Sequence, residues 1–498
     1  MKMKKKHLFL PFAALLLALA CLLGSCVSNP DNKDTPVSSG ADTSTVAQTE
    51  DLYDENGLLK DSLPATMNFD SDVHVLGWET TRNEFFVEEL TDDRVNDSIY
   101  NRNLKVSQRL GVKLIYTLIK GDNSNKDAFV TQAEASMSSG TSEYDIIGCY
   151  SMCSGILAQR GMLTDLYELE YPDTLKPWWP ESLIRSSEIN GKLYFITGDI
   201  SNEFLYNLYF MVVNTGLVKT LGIEDPRALA AENKWTLDKM AEMCRTAYSD
   251  LNGSQTPDFG DNFGLVIFNQ THVDSFLAAS GIHMTRWDEN GSIVLSDDFK
   301  GERMVDLVSR LGDWINNNQE ICYDATNGYK SIKSGNALLG TCAGSTIIGF
   351  RDVDWVYGIL PYPMIGENSD GYCTNLGFAY TNYCIPVSAR DAEMSGAVIE
   401  ALASESYRLT SPTLFEVVFK SMYSNDPLDA QMYDIIKSNI YVDMARLYSG
   451  NFTWANSAVA LFRNSVIAND KSWSSKIAAN ESYINGVFAE ISESFRNK

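Results

Sequence analysis

The order of apolar segments predicts an α/β protein built on parallel sheet, and three observations carry that expectation. Stretches of strand length alternate with stretches of helical period from about Asp72 onward. Gly, Asn and Asp gather between them, where turns belong. No internal repeat or long low-complexity segment interrupts the series. The bulk composition agrees, since 498 residues with 44% hydrophobic and 21% charged side chains suffice for two or three globular domains. Lys and Arg number 40 against 65 Asp and Glu, a net charge of −25. Such a chain repels phosphate backbones and anionic lipid headgroups, so nucleic-acid binding is disfavoured.

The first element is an export signal. Lys2, Lys4, Lys5 and Lys6 precede an apolar run from Leu8 to Leu23, which meets the small residues Gly24 and Ser25. The run is shorter than the roughly 20 residues of a spanning helix and contains Pro11, so cleavage over residues 1–25 is expected rather than a permanent span. Leu23-Gly24-Ser25-Cys26 resembles the lipobox of bacterial lipoproteins, which implies lipid attachment at Cys26 and anchoring at the outer face of the cell membrane. Two acyl chains hold a protein stably at a bilayer where one does not. The alternatives are plain secretion with cleavage near Cys26, or use of Cys21 after Ala18-Leu19-Ala20. Losing residues 1–25 removes 4 of the 40 basic residues and no acidic one, leaving 36 against 65, or −29. From Val27 to about Glu50 the chain is Ser, Thr, Asp, Asn and Pro, too polar to fold, and residues 26–70 are expected to form a flexible tether.

Val73 to Trp78 is a short apolar run with the look of a buried strand. A helix follows, with Thr91 and Asp92 to cap it, Val95, Ile99, Val106 and Leu110 on one face, and Gly111 to end it. Val112 to Leu118 is a second strand, Lys126 to Ser138 a helix, and Asp145-Ile-Ile147 a third strand. Further strands are expected near Leu193 to Thr197, Tyr209 to Val213, Phe263 to Phe268 and Trp355 to Leu360. Between them lie a helix capped by Thr236 and Asp238, a helix from Glu302 to Asn317, and a helix about Gly335. Asp288-Glu-Asn-Gly291 reads as a hairpin turn, since the other positions of a calcium loop are missing. From Ala389 onward the period is helical almost throughout.

The motifs of several chemistries are absent. There is no GxSxG, HExxH, GxxxxGK[ST] or GxGxxG, and Gly191-Lys192 runs into Leu193. His74, His272 and His283 are scattered, His74 inside an apolar strand, and Cys149-x-x-x-Cys153 lacks a second pair, so neither metal nor cofactor is expected. Cys149, Cys153, Cys244, Cys322, Cys342, Cys373 and Cys384 are odd in number and irregularly spaced, which fits buried free thiols; bridges from Cys149 to Cys153 or from Cys373 to Cys384 are the alternatives.

An ordered series of short motifs then stands out: Glu143-Tyr-Asp-Ile-Ile147, Gly161-Met-Leu-Thr-Asp-Leu166, Lys176-Pro-Trp-Trp179, Ile189-Asn-Gly-Lys-Leu-Tyr-Phe195 with Gly198-Asp199, Trp235-Thr-Leu-Asp238, Gly335-Asn-Ala-Leu-Leu339 and Gly358-Ile-Leu-Pro-Tyr-Pro363. From Asp72 to the C-terminus the chain resembles the extracellular solute-binding lipoproteins of ABC-type sugar importers (family 1). The resemblance implies a periplasmic-binding-protein-like fold of type II, with two α/β lobes joined by a hinge and a ligand cleft between them. It places crossings near Phe195 to Asp199, near Leu360 to Pro363 and around Ser421 to Pro427. Lobe one is then 70–196 plus 364–424, and lobe two 199–359 plus 428–498.

Candidate ligand residues come from the C-terminal ends of strands, where open α/β sheets bind ligands. They are Trp78 and Glu79, Tyr150 and Ser151, Asp199, Tyr206, Ser345, and Trp454 at a place where sugar-binding members often carry a stacking aromatic. Trp178 and Trp179 read as packing at the lobe surface, and Trp287 as a lesser candidate for a lid. The implied function is capture of a carbohydrate, an oligosaccharide in preference to peptides or polyamines, by a monomer that delivers it to the permease subunits of an ABC transporter without covalent chemistry. The chain departs from better-known members in an insert around Thr256 to Leu295 and in Gly198-Asp199, where a proline is usual. The rivals are a surface glycoside hydrolase using Glu79 and Asp199, whose separation would distinguish retaining from inverting chemistry, and a receptor that presents ligand to a sensor kinase.

Overall fold

The computed structural model describes residues 52–54, 57–323, 328–350, 352–366, 371–415 and 426–496. The export signal, Cys26, most of the tether and all but the last two residues of the third crossing expected around Ser421 to Pro427 lie outside them. Among the described residues no helix is long and apolar enough to cross a membrane.

The first sheet has the order β12-β3-β1-β2, with β12 at Thr381–Cys384. Strand β1 (Ser71–Trp78) runs parallel to β2 (Val112–Ile119) and β3 (Ile146–Tyr150), with Val73 opposite Leu114 and Gly77 opposite Gly148. The two facing glycines let Phe85 lie on the sheet, since a Cβ at Gly148 would come within 2.5 Å of its ring. The helix Arg94–Leu110 buries Val95, Ile99, Val106 and Leu110 as its period requires. Its cap is Asp93 rather than Thr91 or Asp92. Asp92 takes a left-handed φ of 62°. That turn brings the Asp93 carboxylate to the Val95 and Asn96 N–H groups. Gly111 ends the helix at φ 60°, as expected.

The second sheet has the order β10-β4-β9-β5-β8, from β4 (Tyr209–Asn214), β5 (Phe263–Ile267), β8 (Ile321–Tyr323), β9 (Ala337–Ala343) and β10 (Tyr357–Leu360). Strand β9 overturns the helix expected about Gly335. The helix is Gly328–Lys333, Gly335 turns the chain at φ 78°, and Ser345 therefore follows a strand. All seven residues of β9 are buried, so it carries no two-residue alternation. The segment 193–197 forms no strand; it meets the first sheet through an isolated bridge from Ile196 to Tyr383 and through Thr197 Oγ1, which donates to the Thr381 carbonyl at 2.7 Å. The expected hairpin is present, β6 (Thr285–Trp287) against β7 (Ile293–Leu295).

Residues Met364 and Thr374–Asn375 pack with the second sheet's side of the molecule, although they were expected in the first lobe. Met364 bridges Thr236, and β11 (Thr374–Asn375) pairs with β13 (Ile440–Tyr441). The chain then passes through Gly377–Tyr380 to β12 (Thr381–Cys384), antiparallel to β3. Beside it runs the outward passage from Thr197 to Asn207. Gly377 N donates to the Asn207 carbonyl at 2.8 Å, and Asn207 Nδ2 donates to the Ala379 carbonyl at 2.7 Å.

Two regions differ from the expected lobes. The tether ends earlier than residue 70, because Asp61 accepts from Arg109 at 2.6 and 2.7 Å and from Arg408 at 3.2 Å, clamping the chain to the first lobe. The C-terminal region packs on the second sheet but also covers the first-lobe helix Ser151–Gln159, where Asn451 Nδ2 donates to the Gly155 carbonyl at 3.2 Å. Trp178 and Trp179 are interior rather than surface residues, Trp179 Nε1 donating to Glu400 at 3.0 Å. The seven described cysteines are free thiols, five of them buried.

Candidate functional site

Strand polarity brings the C-terminal ends of β1 and β3 to one edge of the first sheet. Trp78 and Tyr150 meet there at 5.3 Å between ring centroids. Trp78 is 1% exposed and donates Nε1 to Thr381 Oγ1 at 2.8 Å, so it supports Tyr150 from below and offers no face to a ligand. Glu79 follows at the exposed lip. Ser151 is buried; its Oγ donates to the Phe378 carbonyl at 2.5 Å and its N to the Tyr380 carbonyl at 3.0 Å. That serine fixes the crossing strand rather than meeting a ligand. Phe378 in turn touches Trp454 edge-on at 5.9 Å. Trp454 is 38% exposed.

Tyr206 and Ser345 also come together. Gly344 packs so closely on the Tyr206 backbone that a Cβ would lie 2.9 Å from its Cα, and Ser345 stands exposed beside it. Asp199 does not join the group. Its carboxyl is buried, which raises its pKa, and its partners are Lys437 and Ser411, none of them in the aromatic cluster. Glu79 is exposed and Asp199 buried, so the two carboxylates proposed for hydrolysis occupy unlike surroundings. Trp287 lies on the exposed hairpin at β6.

Four residues were missed by the sequence reading. Arg446 donates Nη1 to Asp274 Oδ2 at 2.9 Å, and Arg463 donates Nε and Nη2 to the same carboxylate at 2.9 and 2.5 Å. The Arg446 guanidinium lies 3.8 Å from the Phe378 ring centroid, and that of Arg463 lies 5.0 Å from Trp454, cation–π contacts that hold both plates in place. Their signal was a charge inside an apolar helical stretch, Arg463 within Ala458–Ile467 and Asp274 within Gln270–Ala279, where a lone ion is costly. Beside them Tyr209 stacks on His272 at 4.6 Å, and burial pushes His272 down to about 3, so the imidazole is neutral.

Two donors are left over. The Tyr150 hydroxyl and Arg463 Nη1 have no hydrogen-bond partner among the described residues, yet neither is sealed from solvent. Burial and nearby tyrosines raise the Tyr150 pKa, so it stays a neutral donor. Among the described residues no group of His, Cys, Asp and Glu is placed to hold a metal.

No family model and no curated protein matches the chain in sequence. Solved structures match it in fold. The GacH receptor of Streptomyces glaucescens, solved unliganded and with acarbose, aligns at a TM-score of 0.53 and 12% identity over 84% of this chain and 99% of its own. An ABC substrate-binding protein from Listeria monocytogenes in complex with cycloalternan gives 0.53 and 11% over 84% and 98%. A cyclo/maltodextrin-binding protein complexed with maltotetraose gives 0.54 and 13% over 83% and 96%. The fold is that of ABC-importer solute-binding proteins.

In open α/β sheets ligands bind in the crevice outside the carboxyl ends of the strands. Here those ends carry Tyr150 on the first sheet, and on the second Tyr209 at the start of β4 and Tyr323 at the end of β8. At the hinge Glu84 accepts from Ser201 Oγ at 2.9 Å, Glu203 N at 3.0 Å and Tyr383 OH at 3.1 Å. Burial, with the Glu84 charge nearby, pushes Glu203 up to about 8. A protonated Glu203 next to Glu84 keeps two carboxyl groups in one crossing without a buried like-charge pair.

Proposed function

We propose that this protein is an extracellular solute-binding lipoprotein that captures a carbohydrate, an oligosaccharide, between two lobes and delivers it to the permease of an ABC transporter. It acts as a monomer held by lipid on Cys26, with residues 1–25 removed. Lobe one comprises the first sheet with residues up to about 196 and residues 377–415; lobe two comprises the second sheet, residues 364–366 and 371–376, and most of the described chain after 428. The observation that carries the reading is the exposed Trp454 ring beside the Arg463 guanidinium of the helix Ala458–Ile467, with the Tyr150 hydroxyl at the end of β3, Arg463 Nη1 and that hydroxyl having no hydrogen-bond partner among the described residues. A pyranose needs that pairing: an apolar face to cover and hydroxyls to accept from fixed donors. Preformed plates and donors reduce the ordering cost of closing two lobes on it.

The test is a thermal-shift screen of the full chain in mild detergent against mono- and oligosaccharides, peptides and polyamines, with product analysis of each hit. Ligand at 100 times its Kd stabilises the native state by about 2.7 kcal/mol. An oligosaccharide hit recovered intact is the expected result. Cleaved product, or hits confined to peptides or polyamines, would overturn the proposal. Mass spectrometry of the N-terminal peptide from membranes reads the anchor: a diacylated Cys26 is expected, and a free N-terminus at or near it refutes the lipid.

A further inference from the structure

The outward passage is gripped from lobe one by buried ionisable groups. Glu84, on the short helix Arg82–Phe85 after β1, holds Ser201 Oγ and Glu203 N on one oxygen and Tyr383 OH on the other. Arg102, on the helix Arg94–Leu110, donates Nη2 to the Glu84 carbonyl at 2.8 Å and Nη1 to the Ile200 carbonyl at 3.5 Å. Its other partners are Phe85 O, Asn103 Oδ1 and Ser406 Oγ, so none of its hydrogen bonds goes to a carboxylate. Glu84 has donors on both oxygens and a cation behind it, which suits the ionised form. Glu203 is partly buried and has one donor, Asn207 Nδ2 at 3.3 Å, which suits the protonated form.

The Asn207 amide that reaches Glu203 also donates to the Ala379 carbonyl, and the Asn207 carbonyl accepts from Gly377 N. Glu203 therefore stands where the grip of lobe one on the outward passage meets the tie between the two crossings. The other ionisable residues of the crossings are engaged elsewhere or lack a charge: Asp199 faces Lys437 and Ser411, Tyr380 faces Arg446 and Ser151, and Tyr206 is a phenol. Tyr209, next along the chain, faces Thr271 and Arg446. Helix Gly344–Ile347, packed on the helix Asn202–Tyr206, has no ionisable side chain. Ionised Glu203 would thus set a second negative charge against Glu84, with Arg102 the one cation at the joint.

We infer that the hinge is a proton-loaded latch: the proton on Glu203 keeps the outward passage fastened to lobe one and to the returning chain at Gly377–Tyr380, and its loss in alkaline surroundings loosens both and weakens solute capture. The inference rests on the two-lobe reading above. Its sign follows from where the proton is held tighter. In the fastened hinge, burial and the Glu84 charge push Glu203 up to about 8 from the ordinary 4.5. The fastened state therefore has its full advantage below about pH 4.5 and loses it as the pH rises, by up to about tenfold per pH unit, until about pH 8. Above that the carboxyl is ionised in either state and the loss stops.

The experiment uses the full chain in mild detergent, wild type beside Glu203→Gln and Glu84→Gln, from about pH 5.5 to about 9.5 and without any solute. Urea unfolding reads the whole molecule and amide hydrogen exchange reads the hinge, with variants compared at equal pH so that the intrinsic exchange chemistry cancels. The wild type is expected to lose up to about tenfold in its folding equilibrium constant per pH unit relative to E203Q, levelling above about pH 8. Over the same range its amides at 201–207 and 377–379 should exchange progressively faster than those of E203Q, while those of β1 stay matched. E84Q removes the like charge, so its step should move to lower pH. Parallel wild-type and E203Q profiles, a difference spread evenly along the chain, or an unmoved step in E84Q overturns the latch. Should neither variant fold, the wild-type ratio of hinge to β1 exchange decides: a rise up to about pH 8 supports the latch and a constant ratio overturns it. No sugar enters these measurements, so the carbohydrate reading stands or falls on its own screen.

Discussion

Asp274 is the residue of the candidate site whose removal the structure prices most sharply. In Asp274→Asn the amide retains the shape but loses the charge that two buried guanidinium groups share, at contacts of 2.5 to 2.9 Å. With an effective dielectric of about 20, each ion pair at about 4 Å is worth roughly 4 kcal/mol, and the arginines' mutual repulsion is then left uncancelled. Solvent and side chains relax, and breaking a buried ion pair from one side costs about 3–5 kcal/mol in practice. That is a large fraction of the roughly 5–15 kcal/mol that holds a domain folded. Urea unfolding followed by tryptophan fluorescence would show it as a lower midpoint at unchanged slope. The double variant D274N/R463Q removes one stranded cation and should recover about 2 kcal/mol relative to the sum of the single changes. A loss below about 1 kcal/mol in D274N, or additivity within about 0.5 kcal/mol in the double variant, would refute the shared-carboxylate account.

Three further outcomes follow from the geometry. Trp454→Ala should weaken oligosaccharide binding about 10-fold or more by calorimetry while leaving the urea midpoint nearly unchanged, because the ring is 38% exposed; an unaltered Kd would remove Trp454 from the site. Asp61, with a side chain 2% exposed, would be raised by burial alone, yet Arg109 and Arg408 hold it down to about 2. Its contribution, about 2 kcal/mol, is therefore complete above the unfolded value near 4 and lost as the pH falls to about 2, so D61N should flatten the acid limb of a stability profile, and an unchanged limb would speak against the clamp. A Cβ at Gly450 would run into the Met152 carbonyl, so Gly450→Ala should separate the C-terminal region from the Ser151–Gln159 helix, seen as a midpoint loss of about 1–3 kcal/mol; a neutral effect would mean this contact does not hold the lobes.

Local rules were legible along the chain. Gly111 as the left-handed end of a helix, Thr236 as a cap and Asp288–Gly291 as a hairpin turn each depend on a few adjacent residues, and each forms as expected. Strands β1 to β5 were visible for the same reason. Strand β9 and strand β12 were not, because a strand buried on both faces has no alternation and reads like any other apolar run.

The candidate site divides along the same line. Tyr150 could be chosen from its strand end and Trp454 from the resemblance, but whether a tryptophan is a plate or a prop depends on what covers it, and Trp78 proved to be a prop under Thr381. Ser151 and Asp199 could be placed near the hinge, yet their partners, the Phe378 carbonyl and Ser411, come from 200 or so positions downstream. By itself the sequence determined the order of strands and helices, the acidic surface and the kinship of the fold, since these follow from period, composition and short motifs. Tertiary structure alone decided where the chain recrosses at Gly377–Tyr380, and that Asp274 meets Arg446 and Arg463 across 172 and 189 residues. Coulomb attraction acts on distance in space, and no local pattern records which distant charges folding will bring together.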